Sequence, residues 1–546
     1  MRRVASLLSA YFLFCGIAAF AFHELGKGRS FSAVVVSTWK DGTRNHREVF
    51  TSDAPSDVAP SAEDPTRTVQ REVVTHVGWL PRMPSLFRAI SLVQGRDGLR
   101  ATLGEKVEYL TPDDLLSMQT YDRARELGSL GVEVGIDLEA ALAALAARFG
   151  VSATELKSQA KLERVRFAPS PTRGSLDGNG ARKDALKNAA VASAKYLVRT
   201  QRAGRYKFIL NAVTGEEVPG FDWARHAGAT SFLAQTARMT HDDTYRIVGR
   251  MAMDRLLSKA LVDCGGRACV GDQNLVALGT TALATLAVAD LVDAGESDLR
   301  VTLARLADFL RSQQKENGEF MHYFDRADGK PLDRPEIYAS GEAALALARS
   351  GSLLHNDGDR SAALKAVGYL TGPAWEFFGS RFYFNEEHWT CQALDALGPP
   401  EGMAAATEHK AALRFCLDWV GFNRALQIRS GETLVDLAGA YGISPIPLPR
   451  LTPVASKCEA AISVLRAARR LGVDPSELRA IEQQIDEATS LLMRKQFPGE
   501  KAHLLRAPEE VRGAFPASEV DWHTRIDYMQ HGGACLLRAS ETLETP

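Results

Sequence analysis

Three pairs of side chains recur at a spacing of four: Asp222 with His226, Tyr338 with Glu342, and Asp527 with His531. Residues four apart share one face of a helix, so each pair would offer an acid, a base or a phenol to the same side. His388-Trp389 begins another apolar stretch, Lys457 and Glu459 another, and Arg225 flanks His226. The carboxylates Glu342, Asp222 and Asp527 and the imidazoles His226, His388 and His531 are the groups that general acid–base catalysis uses, and they are the catalytic candidates. Substrate-binding candidates stand beside them. Trp223, Tyr338, Trp389 and Trp522 could stack on the flat face of a ligand, and Arg225, Glu319, His322 and His523 could bind polar groups.

Each residue also has a plainer reading. Asp222 and Asp527 fit helix N-caps or first-turn carboxylates favoured by the macrodipole. A single histidine on an apolar helix is usually structural. Glu342 is harder to dismiss, because YASGEAALALA is otherwise apolar and small. Burying such a carboxylate costs several kcal/mol unless it is paired or faces a wet cavity.

The elements that must position these residues are helical from about residue 182 onward. FLRSQQKENGEF (Phe309–Phe320) ends an amphipathic helix with Leu310, Gln314, Gly318 and Phe320. YLVRTQRAGRY repeats the order from Tyr196, YLTGPAWEFFGSRF does so without the glutamine from Tyr369, and LLMRKQF from Leu491 reaches Gly513-Ala-Phe515 after an insertion. A degenerate copy surrounds Leu257. The leucines at 197, 257, 310, 370 and 492 are separated by 60, 53, 60 and 122 residues, which leaves room for one further unit at EHKAALRFCLDWVGF. A fixed period of this size marks a repeat architecture. Each unit pairs an amphipathic helix with a more apolar, small-residue helix. Six such hairpins can close into an (α/α)6 toroid of inner and outer helices. The inner helices would then begin at one mouth, where the candidates above fall. The glutamine is expected to cap its own outer helix, and the glycine to permit the left-handed turn there.

The Leu-x3-Gln-x3-Gly-x-aromatic pattern of Leu310 to Phe320 resembles the QW repeat of terpenoid cyclases and related toroids. Residues 182–546 as a whole resemble the six-hairpin glycosidase and sugar-epimerase group. The resemblance implies a carbohydrate site at the mouth. Glycosidase chemistry would make Glu342 the acid and Asp222 or Asp527 the base, acting through a water. Epimerase chemistry would use His226 with His388 or His531 for proton transfer. A terpenoid cyclase or prenyltransferase is a further alternative, but no DDxxD or DxDD motif is present and His241-Asp242-Asp243 falls at a turn. A non-enzymatic glycan- or protein-binding scaffold fits the same architecture. No HExxH or CxxC pattern points to a metal site, and the sequence names no cofactor.

The 18 uncharged residues Ala5–Phe22, preceded by Arg2 and Arg3, read as a signal peptide or signal-anchor helix within residues 1–28. Membrane contact would run through residues 5–22, with the body outside the cytoplasm or secreted. Residues 29–66 read as a polar spacer and 67–169 as a small α+β module. Within that module GLRATLGEKVEYL suggests a hairpin, DLEAALAALAARFG a helix and LERVRF a strand. Residues 170–181 read as a linker. A net charge of −2 argues against a nucleic-acid partner. Seven cysteines do not suggest a disulfide scaffold, although Cys264 and Cys269 could close a small loop.

Overall fold

The computed structural model describes residues 28–50, 68–80, 91–121, 135–168, 179–271, 273–374, 387–400, 402–429, 436–442, 448–499 and 501–543. The expected membrane segment, the second half of the expected spacer and most of the expected linker lie outside them. Among the described residues no helix is long and apolar enough to cross a membrane.

The first half of the expected spacer is a correction. Residues 29–50 form two long strands, β1 (Arg29–Lys40) and β2 (Thr43–Phe50). The run Ala33–Val36 buries Ala33 and Val35 on one face and Val36 on the other, as a strand paired on both edges within a sheet does. With β3 (Thr68–Trp79), β4 (Asp97–Leu103), β5 (Lys106–Leu110) and β6 (Lys161–Phe167) they make one antiparallel sheet of order β2-β1-β3-β6-β4-β5. The β4–β5 turn falls at Gly104. Three short helices cover the sheet: α1 (Pro112–Ser117), α2 (Leu138–Phe149) and α3 (Ala153–Gln159). Gly150 ends α2 in the left-handed conformation, with φ 73°.

The rest is a ring of helical hairpins. The outer helices are α4 (Asn179–Thr200), α6 (Asp243–Ala260), α8 (Arg300–Ser312), α10 (Asp357–Leu370), α12 (Met403–Ala425) and α14 (Pro475–Lys495). The inner helices are α5 (Trp223–Thr240), α7 (Leu278–Asp293), α9 (Ala339–Leu354), α11 (Glu387–Ala396), α13 (Leu451–Arg470) and α15 (Ile526–Thr542). Each inner helix packs on the next, and α15 returns to pack on α5. The chain is therefore a closed (α/α)6 toroid. The unit without a clear motif is α12–α13, where the spacing of the leucines left room for it.

The repeat motif is a joint between units, and its glutamine acts differently from the expectation. Gln314 Nε2 donates to Ala362 O of the next outer helix at 2.8 Å, as well as to Gly318 O. Gln201 reaches Val248 O in the same way, and Gln496 reaches Ala189 O, which ties the last outer helix to the first. A further copy, Gln427 with Gly439 and Tyr441, reaches Gln484 O. The amide thus bridges helices and does not cap its own, because the carbonyl it meets belongs to the neighbouring unit. Gly318 takes φ 100°, and a Cβ there would lie 2.5 Å from Lys365 O on that same neighbour. Gly513 sits equivalently against Ala192 O. Phe320 and Phe515 are fully buried beside these joints.

The cysteines are a second correction. Cys264–Cys269, Cys391–Cys416 and Cys458–Cys535 are all disulfides. The last two staple α11 to α12 and α13 to α15, pairs that only the folded ring brings together.

The sheet module docks on the toroid through a shared apolar core containing Trp39, Leu99 and Leu110 together with toroid residues. A buried ionic knot pins the contact: Asp113 meets His503 Nε2 at 2.8 Å and Lys501 Nζ at 2.9 Å. Burial alone would raise the Asp113 carboxyl, but Lys501 and His503 outweigh it and hold it below its ordinary range.

Candidate functional site

All six inner helices contribute first-turn residues to one cavity of about 490 Å³ at the mouth of the ring. This lies within the roughly 300–1,000 Å³ usual for small-molecule sites. Asp222 and Arg225 come from α5, Gly279 and Thr280 from α7, and Tyr338 and Glu342 from the start of α9. His388 and Trp389 come from α11, Thr452 and Ser456 from α13, and Asp527 and His531 from α15. Eight sequence candidates therefore converge: Asp222, Arg225, Tyr338, Glu342, His388, Trp389, Asp527 and His531.

His388 and His531 are neighbours, with ring centroids 6.0 Å apart, and Trp389 lies 5.8 Å from His531. His531 Nδ1 meets Glu459 Oε1 at 2.6 Å. Glu459 also meets Arg538 at 3.4 Å. A carboxylate on Nδ1 makes that nitrogen the donor and leaves Nε2 as the acceptor. Glu459 is buried one turn below the cavity.

Tyr338 holds φ 74° at the N-cap of α9. A bulky residue in that region costs about 1–3 kcal/mol and persists only where the surroundings fix it. Here the ring is carried to within 5.7 Å of His388. Glu342, four residues on, is buried, and its Oε2 leaves only 2.5 Å for a Cβ on Gly279. Burial, then the charges of Glu336 and Asp222, push its carboxyl well above the usual range. The shift favours its protonated, neutral form over the carboxylate.

Asp222 and Asp527 are committed to arginines. Asp222 caps α5 by accepting from Arg225 N at 2.8 Å, and its other oxygen meets Arg225 Nη1 at 3.0 Å. Asp527 takes Arg525 in a two-pronged pair at 2.6 and 2.8 Å, with Arg225 Nε at 3.5 Å. The capping role weighed for Asp222 is real.

Six candidates lie elsewhere. His226 is fully buried against α6 and meets Ala252 O through Nε2 at 3.1 Å. Burial lowers it to about 4, with Arg255 and Arg205 adding to the effect. Asp222 precedes α5 in an extended conformation, so the four-residue rule does not carry its direction to His226. Trp223 packs on Phe221 and His226, outside the cavity. Glu319 pairs with Lys315 at 2.7 Å. His322 accepts from Glu336 N and meets Ser340 Oγ, each at 2.8 Å, which fixes the loop leading to Tyr338. Trp522 and His523 line a separate cavity.

Arg450, Arg525, Tyr528 and Glu336 also line the mouth and were not among the candidates. Arg525 and Tyr528 flank Asp527 in TRIDY, so a wider window around each first turn would have found them. Below the mouth the ring axis is closed by charged groups, including Arg349 on Asp290 at 2.9 Å and Arg538 on Glu459. Among the described residues no group of three or more His, Cys, Asp or Glu is arranged to hold a metal ion.

No family model matches the sequence, nor does any curated protein sequence. Among solved structures, D-mannose isomerase superposes with a TM-score of 0.49 at 14% identity, covering 68% of this chain and 100% of that one. Cellobiose 2-epimerase from Bacillus thermoamylovorans gives 0.49 at 10% identity, covering 66% of this chain and 100% of its own. An α-1,6-mannanase from Salegentibacter gives 0.47 at 11% identity, again over 66% of this chain and 100% of its own.

Proposed function

We propose that the chain is an exported carbohydrate-active enzyme that moves protons on a sugar held in the toroid mouth, of epimerase or isomerase type. The observation that carries this reading is the facing pair His388 and His531, with His531 set by Glu459. In such a reaction one imidazole removes the proton on the carbon beside a carbonyl and the other returns it, to the opposite face or to the neighbouring carbon. His531 Nε2 is the base, because Glu459 stabilises the imidazolium that forms. His388 is its partner. Glu342, in the protonated form that its burial favours, donates a hydrogen bond to the carbonyl oxygen as negative charge develops there.

The lining suits a neutral polyol. Asp222 and Asp527 are matched by Arg225 and Arg525, so a charged ligand finds little surplus of either sign. Trp389, Tyr338 and Tyr528 offer ring faces and edges among hydrogen-bonding groups. Export is supported by three disulfides, which persist in oxidising compartments, and by the uncharged run Ala5–Phe22.

A second reading has one specific observation in its favour. A buried, protonated carboxyl such as Glu342 is also what a glycosidase needs as its acid. The commitment of Asp222 and Asp527 to arginines weighs against it, since the base would have to come from one of them. Incubation with aldoses and short oligosaccharides separates the readings. A C2 epimer or ketose product is expected. New reducing ends would move the assignment to hydrolysis, and saturable binding without product would leave a glycan-binding protein.

A further inference from the structure

A second cavity, of about 280 Å³, lies where the sheet module meets the toroid. The module supplies Gln119 and Tyr121 to it. The small sheet of β7 (Ile209–Asn211), β8 (Glu217–Val218) and β9 (His523–Arg525) supplies Asn211, Val218 and His523. Arg450, Arg525 and Tyr528 line both this cavity and the toroid mouth, so the two share a wall. We propose that this second cavity is a sugar subsite built jointly by module and toroid, and that it receives the next unit of an oligosaccharide whose reacting unit lies in the mouth.

The proposal rests on reading the mouth as a sugar site, and three features of the second cavity point to the same chemistry. Its charges are matched: Asp521 takes Arg450 at 3.2 Å and His523 Nδ1 at 2.7 Å, while Arg525 faces Asp527. An ionic ligand therefore gains little there. Its polar groups are planar amides and an imidazole in contact, with Asn211 Nδ2 donating to Gln119 Oε1 and lying 3.4 Å from His523 Nε2. These are side chains suited to hydroxyl pairs, and Tyr121, Trp522 and Tyr528 supply aromatic surface among them. Gln119 holds φ 55°, a conformation a side chain rarely adopts, directly at this wall. The docking of the module explains itself on this basis: without it the cavity has no outer wall.

The test compares kcat/KM for glucose and mannose with that for cellobiose and mannobiose. Wild type is expected to favour the disaccharide of at least one pair by roughly tenfold or more. Val218→Trp, which fills the second cavity, should bring that ratio close to one. Gln119→Gly, which removes the amide and suits the backbone, should lower it severalfold. Should Val218→Trp fail to fold, Gln119→Gly decides alone. A wild-type ratio near one for sugars that are turned over, or a ratio that neither variant moves, overturns the subsite and leaves the reading of the mouth standing. If none of the four sugars binds or reacts, the reading of the mouth fails and the subsite falls with it.

Discussion

His531, at the cavity wall, and the buried Glu459 form a dyad on two neighbouring inner helices, Nδ1 to Oε1 at 2.6 Å, and the helices that carry them are stapled by Cys458–Cys535. Cys458 directly precedes Glu459, and Cys535 lies one turn beyond His531. The staple therefore fixes the imidazole against its carboxylate. Glu459→Gln should lower kcat by roughly 10- to 100-fold with little change in KM, because it weakens the base and not the binding of sugar. Steady-state kinetics checks this. A loss confined to KM would assign Glu459 to binding instead.

Glu342 should leave a pH signature in stability. Its folded carboxyl holds its proton well above the ordinary range, so below about pH 4.5 it is neutral both folded and unfolded and costs nothing. As pH rises from there the unfolded chain releases that proton while the folded chain keeps it, and stability is lost until the folded group titrates. Glu342→Gln should therefore melt close to wild type at pH 4 and above it at pH 7 to 8, while losing most activity. Thermal unfolding at several pH values measures the difference. A difference independent of pH would contradict the neutral carboxyl.

His226 should behave as a structural residue. Its folded value of about 4 lies below the unfolded one, so stability falls as pH drops from about 6.5 towards 4, on the order of 3 kcal/mol in all. His226→Phe should flatten that dependence and keep kcat/KM within about threefold of wild type. A loss of kcat comparable to that of His531→Ala would return His226 to the reaction.

The joints between repeats should matter for stability alone. Gln314→Ala removes the amide that donates to Ala362 O and Gly318 O across the joint and should cost about 1 kcal/mol. Gly318→Ala combines a strained φ with a collision against Lys365 O and should cost more. Denaturant midpoints test both, and neither should change KM.

The ring was legible because its signal repeats. The Gln, Gly and aromatic of each joint recur, and the period also located the poorly matching α12–α13 unit. The copy Gln427–Gly439–Tyr441 was hidden because Asn423 stands where the other copies carry a leucine four residues before the glutamine, although its contacts match the others. The site was legible in Asp527 and His531, which both lie inside a helix, and in Tyr338 and Glu342, where the cap's φ of 74° still brings the ring to the mouth. It failed where the first member is an extended cap, as with Asp222 and His226. Strands β1 and β2 were missed because charged and hydroxyl residues dominate TRNHREVF and the ends of RSFSAVVVSTWK, so their alternation reads as a polar spacer until β3 pairs with them. The disulfides Cys391–Cys416 and Cys458–Cys535 could not be read at all, since their separations of 25 and 77 residues carry no local pattern.

The most direct test of the central claim follows solvent deuterium into the carbon beside the carbonyl of glucose, mannose and cellobiose by NMR, with wild type, His388→Gln and His531→Gln. Proton transfer by the facing pair requires label in at least one sugar with wild type, at C2 of an epimer or at C1 of a ketose, and a loss of about 10²–10⁴-fold in each variant. Turnover without label at either carbon, or label undiminished when His388 and His531 are both replaced, would contradict it.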